Sequence, residues 1–335
     1  MRHTRRFHAA LLAATLAAPC LARAADFFEG KTVNIIAGFT PGGGYDAYAR
    51  LLARFLPAHI PGRPNVVVQN LPGAGSLTAV RSLEVTQPKD GTVMAIFNPG
   101  LVTQSIVQPK LVELDFRKFA WVGVSTPDFR VCYGFGPNGV SSWDDMMGRK
   151  QFILGSTAKG SGNYINGATL RMVFKAPVRQ ILGFPGSAEQ RLAIERGELD
   201  GDCGSVSSIP LDWIRDGKAR MFVRFAKLRP PEIPESVPAI DDFARTQEQK
   251  DLIEVLDAAD LVGRPFVMSK QVPADRLEVM RKAFDASMKD TGLLAEARKA
   301  QLTVSPITGL EAEAIIGKMN SVSPAIIEKA REIYE

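Results

Sequence analysis

Between Val33 and Arg50 the chain reads V-N-I-I-A-G-F-T-P-G-G-G-Y-D-A-Y-A-R. No other stretch constrains the fold as strongly. Val33 to Ala37 is a short apolar, β-branched run suited to a buried strand. Pro41 and the three glycines Gly42, Gly43 and Gly44 end it, and beyond Asp46 the residues Ala47, Leu51, Leu52 and Phe55 recur at helical spacing. A strand, a glycine turn and a helix start aim free backbone N–H groups and the positive end of a helix dipole at one point. Without Cβ atoms, an incoming anion can approach that backbone closely. Asp46 fits as an N-cap with Arg50 one turn on to pair with it. Candidate ligand contacts here are Phe39, Thr40, Pro41, Gly42, Gly43, Gly44, Tyr45 and Asp46. A single turn of this kind can bind nothing, so its recurrence carries the reading.

It recurs several times. Asn65 to Gln69 is a second strand, Asn70 to Ser76 a second glycine turn, and Leu77 to Val85 resumes helical periodicity. Gly73, Ala74, Gly75 and Ser76 join the candidates. The strand Val93 to Phe97 opens onto Asn98, another candidate, and Phe119 to Val124 and Phe129 to Phe135 are further strands. The scheme then restarts with the strand Phe152 to Leu154, a glycine turn to Gly162 and a helix from Tyr164 to Phe174. This unit supplies Ser156, Thr157, Ser161, Gly162 and Asn163. Val178 to Leu182 leads through Gly186 and Ser187 into a helix from Ala188 to Arg196. Leu199 to Gly204 reads as a strand end opening onto a serine-rich turn, adding Asp202 and Ser205. Strands alternating with helices imply parallel sheets covered on both faces. Two sets of turns imply two α/β lobes, which would share one cleft if their strand ends face each other.

The N-terminus has Arg2, Arg5 and Arg6, a short apolar run and the small-residue pattern Ala22-Arg23-Ala24. That is the form of a cleavable secretory signal over residues 1–24, and a periplasmic location is expected. Pro19 is wrong for lipid attachment at Cys20. Without this segment the 41 basic residues fall to 37 against 36 acidic ones, so no basic field remains for nucleic acid. Cys132 and Cys203 are then the two remaining cysteines, free to form a disulfide if the fold brings them within about 7 Å.

Catalytic and metal sets are missing from the sequence. G-x-S-x-G is absent. A Ser-His-Asp triad would have to use His59, which sits in a proline-bounded turn. Gly155 to Ser161 imitates a phosphate loop, but Ser161 stands where the lysine should be. Beyond residue 24, one histidine and two cysteines give zinc no ligand set, and Asp200 with Asp202 does not continue into an oxygen-rich calcium loop. No catalytic residue, metal or cofactor is expected. Neutral donors at the turns suit a carboxylate, with Asp46 and Asp202 able to accept from an amine or hydroxyl of the ligand.

At these residues the chain resembles the periplasmic solute-binding subunits of tripartite tricarboxylate transporters, the Bug family. F-T-P-G-G-G-Y-D-A-Y-A-R (Phe39 to Arg50) is similar to the family's F-P-P-G-G-x-x-D-x-x-A-R, and V-V-V-Q-N-L-P-G-A-G (Val66 to Gly75) to its V-V-x-N-x-P-G-A-G. Departures fall at Ser76, Leu77, Tyr164 and Arg191. The resemblance implies a type II periplasmic-binding-protein fold, two α/β lobes around a ligand cleft. Lobe 1 would be 25–126 plus 262–335, and lobe 2 would be 127–261. It implies a monomer that binds a small organic acid (a di- or tricarboxylate, an aromatic acid or an amino acid) and delivers it to one large and one small membrane subunit. A sensing subunit for a membrane kinase, or a secreted enzyme on the same scaffold, remains open beside it.

Overall fold

The computed structural model describes residues 27–225, 229–319 and 323–334, and the expected signal segment lies outside them. Two sheets organise the chain. The strands of the first are β1 (Thr32–Ala37), β2 (Asn65–Asn70), β3 (Val93–Ile96) and β4 (Phe119–Val124). Those of the second are β5 (Val131–Phe135), β6 (Phe152–Ser156), β7 (Val178–Leu182), β8 (Gly201–Asp202) and β9 (Ala219–Arg224). Then β10 (Pro265–Ser269) and β11 (Ile307–Thr308) return to the first. The strand orders are β11-β4-β10-β3-β1-β2 and β7-β6-β8-β5-β9.

Both sheets are mixed, which corrects the expectation of parallel ones. β1 runs parallel to β2 and β3, and β6 parallel to β7 and β8. β10 is antiparallel to β3 and β4, and β5 antiparallel to β8 and β9. The reason is the chain path. Crossing from one lobe to the other brings β5 and β10 in from the far side, so each enters its sheet against the βα units already there.

Alternation along the strands builds a core on each face. In the first lobe Ile35, Met94, Ile96 and Phe266 face the helices Gly44–His59 and Ala274–Ser287. Ile36, Ala95, Phe97, Trp121 and Val267 pack on the other side. Tyr48 is buried on the first of these faces, beside Ile35 and Phe266, with its hydroxyl donating to the Thr303 carbonyl at 2.7 Å. Two clusters flank the second sheet in the same way. The helix Pro324–Tyr334 packs against Gly100–Val107 of the first lobe and against Gly162–Val173 and Gln247–Asp257 of the second.

Two segments cross between the lobes side by side. Ser125 N–H donates to the Arg264 carbonyl at 3.0 Å, Arg264 N–H to Thr126 at 2.9 Å, and Asp128 N–H to Asp260 at 2.7 Å. Their approach at Gly263 is so close that a Cβ there would lie 1.9 Å from the Asp128 nitrogen. The helix Gly44–His59 starts two residues before Asp46 and is capped by Gly43, and it runs two residues past Pro57. His59, at its end, meets Asp290 at 3.0 Å, on the far side of the helix from the cleft turn.

Cys132 and Cys203 form a disulfide that fastens β5 to the end of β8, inside the second lobe's core. The bond closes a sequence separation of 71 residues. On a chain-entropy account a loop of that size contributes about 4 kcal/mol. Denaturant unfolding with and without reductant should show a loss of that order, and the Cys132→Ser, Cys203→Ser double variant should match the reduced wild type. Equal midpoints in both conditions would contradict a stabilising role.

Candidate functional site

Each lobe contributes loops at the ends of its strands, and they meet over a cavity of about 50 Å³. From the first lobe come Phe39, Gly43, Gly44, Tyr45 and Asn98. The aromatic pair Phe39 and Tyr45 is stacked with ring centroids 4.8 Å apart. From the second lobe come Thr157, Ser161, Gly162 and Asn163 at the start of one helix, Ser187 at the start of the next, and Asp202 and Ser205 beyond β8. The structure therefore brings these twelve expected residues to one place.

Ten others do not line the cavity, and each has a structural reason. Asp46 turns back on its own loop. It accepts from Gly42 N–H at 2.9 Å, from Arg50 Nε at 2.9 Å and from Asn70 Nδ2 at 2.9 Å. Burial pushes its carboxyl up, but the Arg50, Gly42 and Asn70 bonds outweigh that and hold it below its ordinary value. It braces the turn and does not line the cavity. Thr40 donates across the cleft to Glu189 at 2.9 Å, beside Pro41, and the Gly42 carbonyl accepts from Arg191 at 2.9 Å. Gly186 lies against Thr40.

The second glycine turn also lies outside the cavity. Gly73, Ala74, Gly75 and Ser76 carry φ values of 145°, 47°, 63° and 78°. Four successive residues in that region fold the loop tightly, with Ala74 and Ser76 under strain. Gly75 abuts Ala158 and Ser161 of the other lobe, while Ser76 Oγ accepts from Asn98 N–H at 2.9 Å. Ser156 is buried beneath the cavity, where its hydroxyl accepts from Gln180 at 3.1 Å. Asn98 Nδ2 donates to the Gly160 carbonyl at 3.0 Å. Thr40–Glu189 and Arg191–Gly42 likewise join the lobes across the cleft, as do Arg130 Nη2 to Asn98 Oδ1 at 3.3 Å and Thr303 to Glu232 at 2.9 Å, and the cleft is closed.

Sequence reading missed Asp128, Arg130, Gln190, Gly204 and Ser208, all of which line the cavity. Asp128 and Arg130 belong to a buried charge cluster on the two crossing segments. Arg130 pairs with Asp128 at 2.7 Å and with Asp260 at 2.9 Å, and Arg264 pairs with Asp128 at 3.0 Å. Arg264 also donates to Ser205 and Ser207 and stacks over the Tyr45 ring at 4.3 Å. Burial pushes Asp260 up to about 7, with Asp128 adding to the rise and Arg130 opposing it. Asp128, held between two guanidinium groups that outweigh its burial, stays below the usual range. The signal available in the sequence was the pair D-F-R and D-L-V-G-R, one acid and one arginine on each crossing segment.

Two further polar atoms at the cavity are buried without a partner among the described residues, Gln190 Nε2 and Thr157 Oγ1. Asp202 is buried too. One of its oxygens accepts from Cys203 N–H at 2.8 Å, and burial pushes its carboxyl up to about 6 against the opposing pull of that bond, Arg130, Asn163 and Arg191. Phe184 packs against the second lobe's core. Among the described residues no cluster of His, Cys, Asp and Glu has the arrangement of a metal site. No helix among them is long and apolar enough to cross a membrane.

No family model matches the chain. Over 115 residues it is 30% identical to the UPF0065 protein in the tcbD-tcbE intergenic region of Pseudomonas sp. strain P51, a stretch covering 34% of this chain and 33% of that protein. The chain thus matches only about a third of that curated relative's length. The solved structure of the periplasmic binding protein BugD superposes with a TM-score of 0.75 at 17% identity, covering 90% of this chain and 97% of BugD. MatC from Rhodopseudomonas palustris, solved with bound malate, gives 0.71 at 16% identity, covering 91% and 99%. The fold is the two-lobed one of periplasmic binding proteins, and these neighbours and the UPF0065 match agree with the Bug-family resemblance.

Because Asp260 rises from an ordinary 3.8 to about 7 on folding, the folded state holds a proton over that window that the unfolded chain has lost. The stability this gives is full below about pH 4 and declines as pH approaches 7. Asp260→Asn should flatten that decline, as followed by denaturant midpoints at pH 4.5, 6 and 7.5. An unchanged slope would refute the assignment.

Proposed function

We propose that this chain is a periplasmic solute-binding protein of the Bug type that captures a small carboxylated solute between its lobes and presents the closed form to a membrane transporter with one large and one small subunit. The single observation carrying the reading is the closed cleft itself. Direct bonds such as Thr40–Glu189, Asn98–Gly160 and Arg191–Gly42 join the lobes over a cavity in which buried donors, Gln190 Nε2 and Thr157 Oγ1, await an acceptor. A buried donor left unpaired costs about 1–3 kcal/mol, so an acid at this place gains what water-excluded loops otherwise lose. The fold shared with BugD and with malate-bound MatC supports the same reading.

Closure is the message such a protein carries. The lobes exchange few bonds with each other, and a solute touching both shifts the population toward the closed form in proportion to its extra affinity for it. The transporter then reads a surface that exists only when both lobes are together.

Protein refolded to remove bound solute should gain melting temperature with at least one member of a panel of di- and tricarboxylates, aromatic acids and amino acids. At about 100 times the dissociation constant the gain in stability is about 2.7 kcal/mol. A flat panel would sink the proposal. Gly43→Val tests the mechanism. A Cβ at Gly43 would come within 2.8 Å of Ser187 Oγ across the cleft, so the variant should fold with wild-type circular dichroism yet lose the ligand-induced shift. An undiminished shift would mean that this contact does not form in the bound state.

A further inference from the structure

The cavity holds two opposite charges that share it without pairing. Arg130 is 4% exposed and fixed by Asp128 and Asp260 through Nη2 and Nε. Its Nη1 lies against the first residue of the helix Gly162–Val173, where a Cβ on Gly162 would fall 1.1 Å from it. That helix begins at Ser161 with no bond from the cap side chain; Tyr164 N–H is taken by Asn163 Oδ1 at 3.1 Å, and Ser161, Gly162 and Asn163 line the cavity beside the guanidinium. Two positive ends converging in a buried space are mutually unfavourable unless an anion sits between them. Gln190, 1% exposed, lines the cavity with an unpartnered Nε2.

Asp202 faces this arrangement from the end of β8. It is 6% exposed, its carboxylate is hydrogen-bonded by Cys203 N–H and by the Asn163 side chain, and it forms no ion pair among the described residues. Its charge is nonetheless felt by Arg130 and Arg191. Held apart by their own scaffolds, Arg130 and Asp202 cannot collapse onto each other. A buried carboxylate without a cation costs more than one with a cation.

We propose that the second-lobe side of the cleft is a zwitterion site, in which Arg130 and the N-terminus of the helix Gly162–Val173 take the carboxylate of a free amino acid and Asp202 takes its ammonium. This rests on the reading of the chain as a receptor for carboxylated solutes and narrows it to amino acids. A hydroxy acid could offer Asp202 a hydrogen bond but would leave its charge uncompensated. A plain dicarboxylate would set a second negative charge beside it.

Calorimetric titration with amino acids and with the matching acids lacking the amine tests this. The best amino acid should bind about tenfold or more tightly than its deaminated counterpart, the range of one charge-assisted hydrogen bond. That preference should shrink as pH drops from 7.5 to 5, because Asp202 loses its charge. The groups facing Asp202 are Arg130, Arg191, Tyr133 and Asn163; of these Arg130 and Tyr133 are held above their ordinary values and keep their protons through that interval. Asp260 does titrate there, but through Arg130 it acts on the carboxylate common to both ligands and cancels in the ratio. Asp202→Asn should reduce the preference about tenfold, and if that variant fails to fold, the wild-type pH profile decides. Deaminated acids binding as tightly as amino acids, or a preference independent of pH, overturns the zwitterion site while leaving the receptor reading intact. Binding of no acid at all overturns both.

Discussion

The cluster of Asp128, Arg130, Asp260 and Arg264 ties the lobes, the hinge and the cleft together. Each crossing segment carries one acid and one arginine, and the ion pairs run both within and between segments. Removing such charges from water is expensive, and the mutual attraction repays it only where every remaining donor also finds a partner. Arg264 meets it in part: Nη2 donates to Ser205 and Ser207, Nη1 donates to the Gly263 carbonyl and the plane stacks over the Tyr45 ring, while Nε has no partner among the described residues. The serines belong to the second lobe and the tyrosine to the first glycine turn. One guanidinium thus touches hinge, cleft wall and both lobes, so a change in the angle between lobes must disturb it.

The first glycine turn shows how the rest of the site depends on bracing of this kind. Its backbone stays open to the cavity because Asp46 gathers Gly42, Arg50 and Asn70 around itself, and Asn70 in turn holds the Phe39 carbonyl at 2.8 Å. A loop of consecutive glycines would otherwise sample many conformations. The acid that looked like a ligand contact is what makes the loop a fixed surface. By contrast the contacts across the cleft are few, each worth about 0.5–1.5 kcal/mol net. The loops are rigid while their union is weak, which suits a device that must open again.

How much of this was legible in the sequence follows the range of the signals. The strands Val33–Ala37 and Phe119–Val124 and the helices after each glycine turn are local patterns, and they stand within about two residues of where periodicity puts them. The helix Gln247–Asp257 went unread although Thr246 and Gln249 form a capping box at its start; its polar opening hid the buried Leu252, Ile253 and Leu256. The mixed sheets escaped because strand direction depends on the path between lobes, which no periodicity records. Arg130 escaped for the same reason. An arginine in an apolar strand reads as a solvent-facing position, and only the crossing segment opposite makes it a buried one.

The two walls of the cleft divide the work unequally. The first lobe presents Phe39, Tyr45, two glycines and Asn98, all uncharged. Every ionised group at the cavity stands on the second lobe or the crossing segment that leads into it, as do the unpartnered Gln190 and Thr157. On the receptor reading proposed above, charge on one side would discriminate a solute and shape on the other would enclose it. On that reading, a change of solute needs substitutions only on the second side, because the first supplies backbone and rings that any small acid would meet. That division accounts for the motifs at Phe39–Arg50 and Val66–Gly75 identifying the fold while giving so little about the solute.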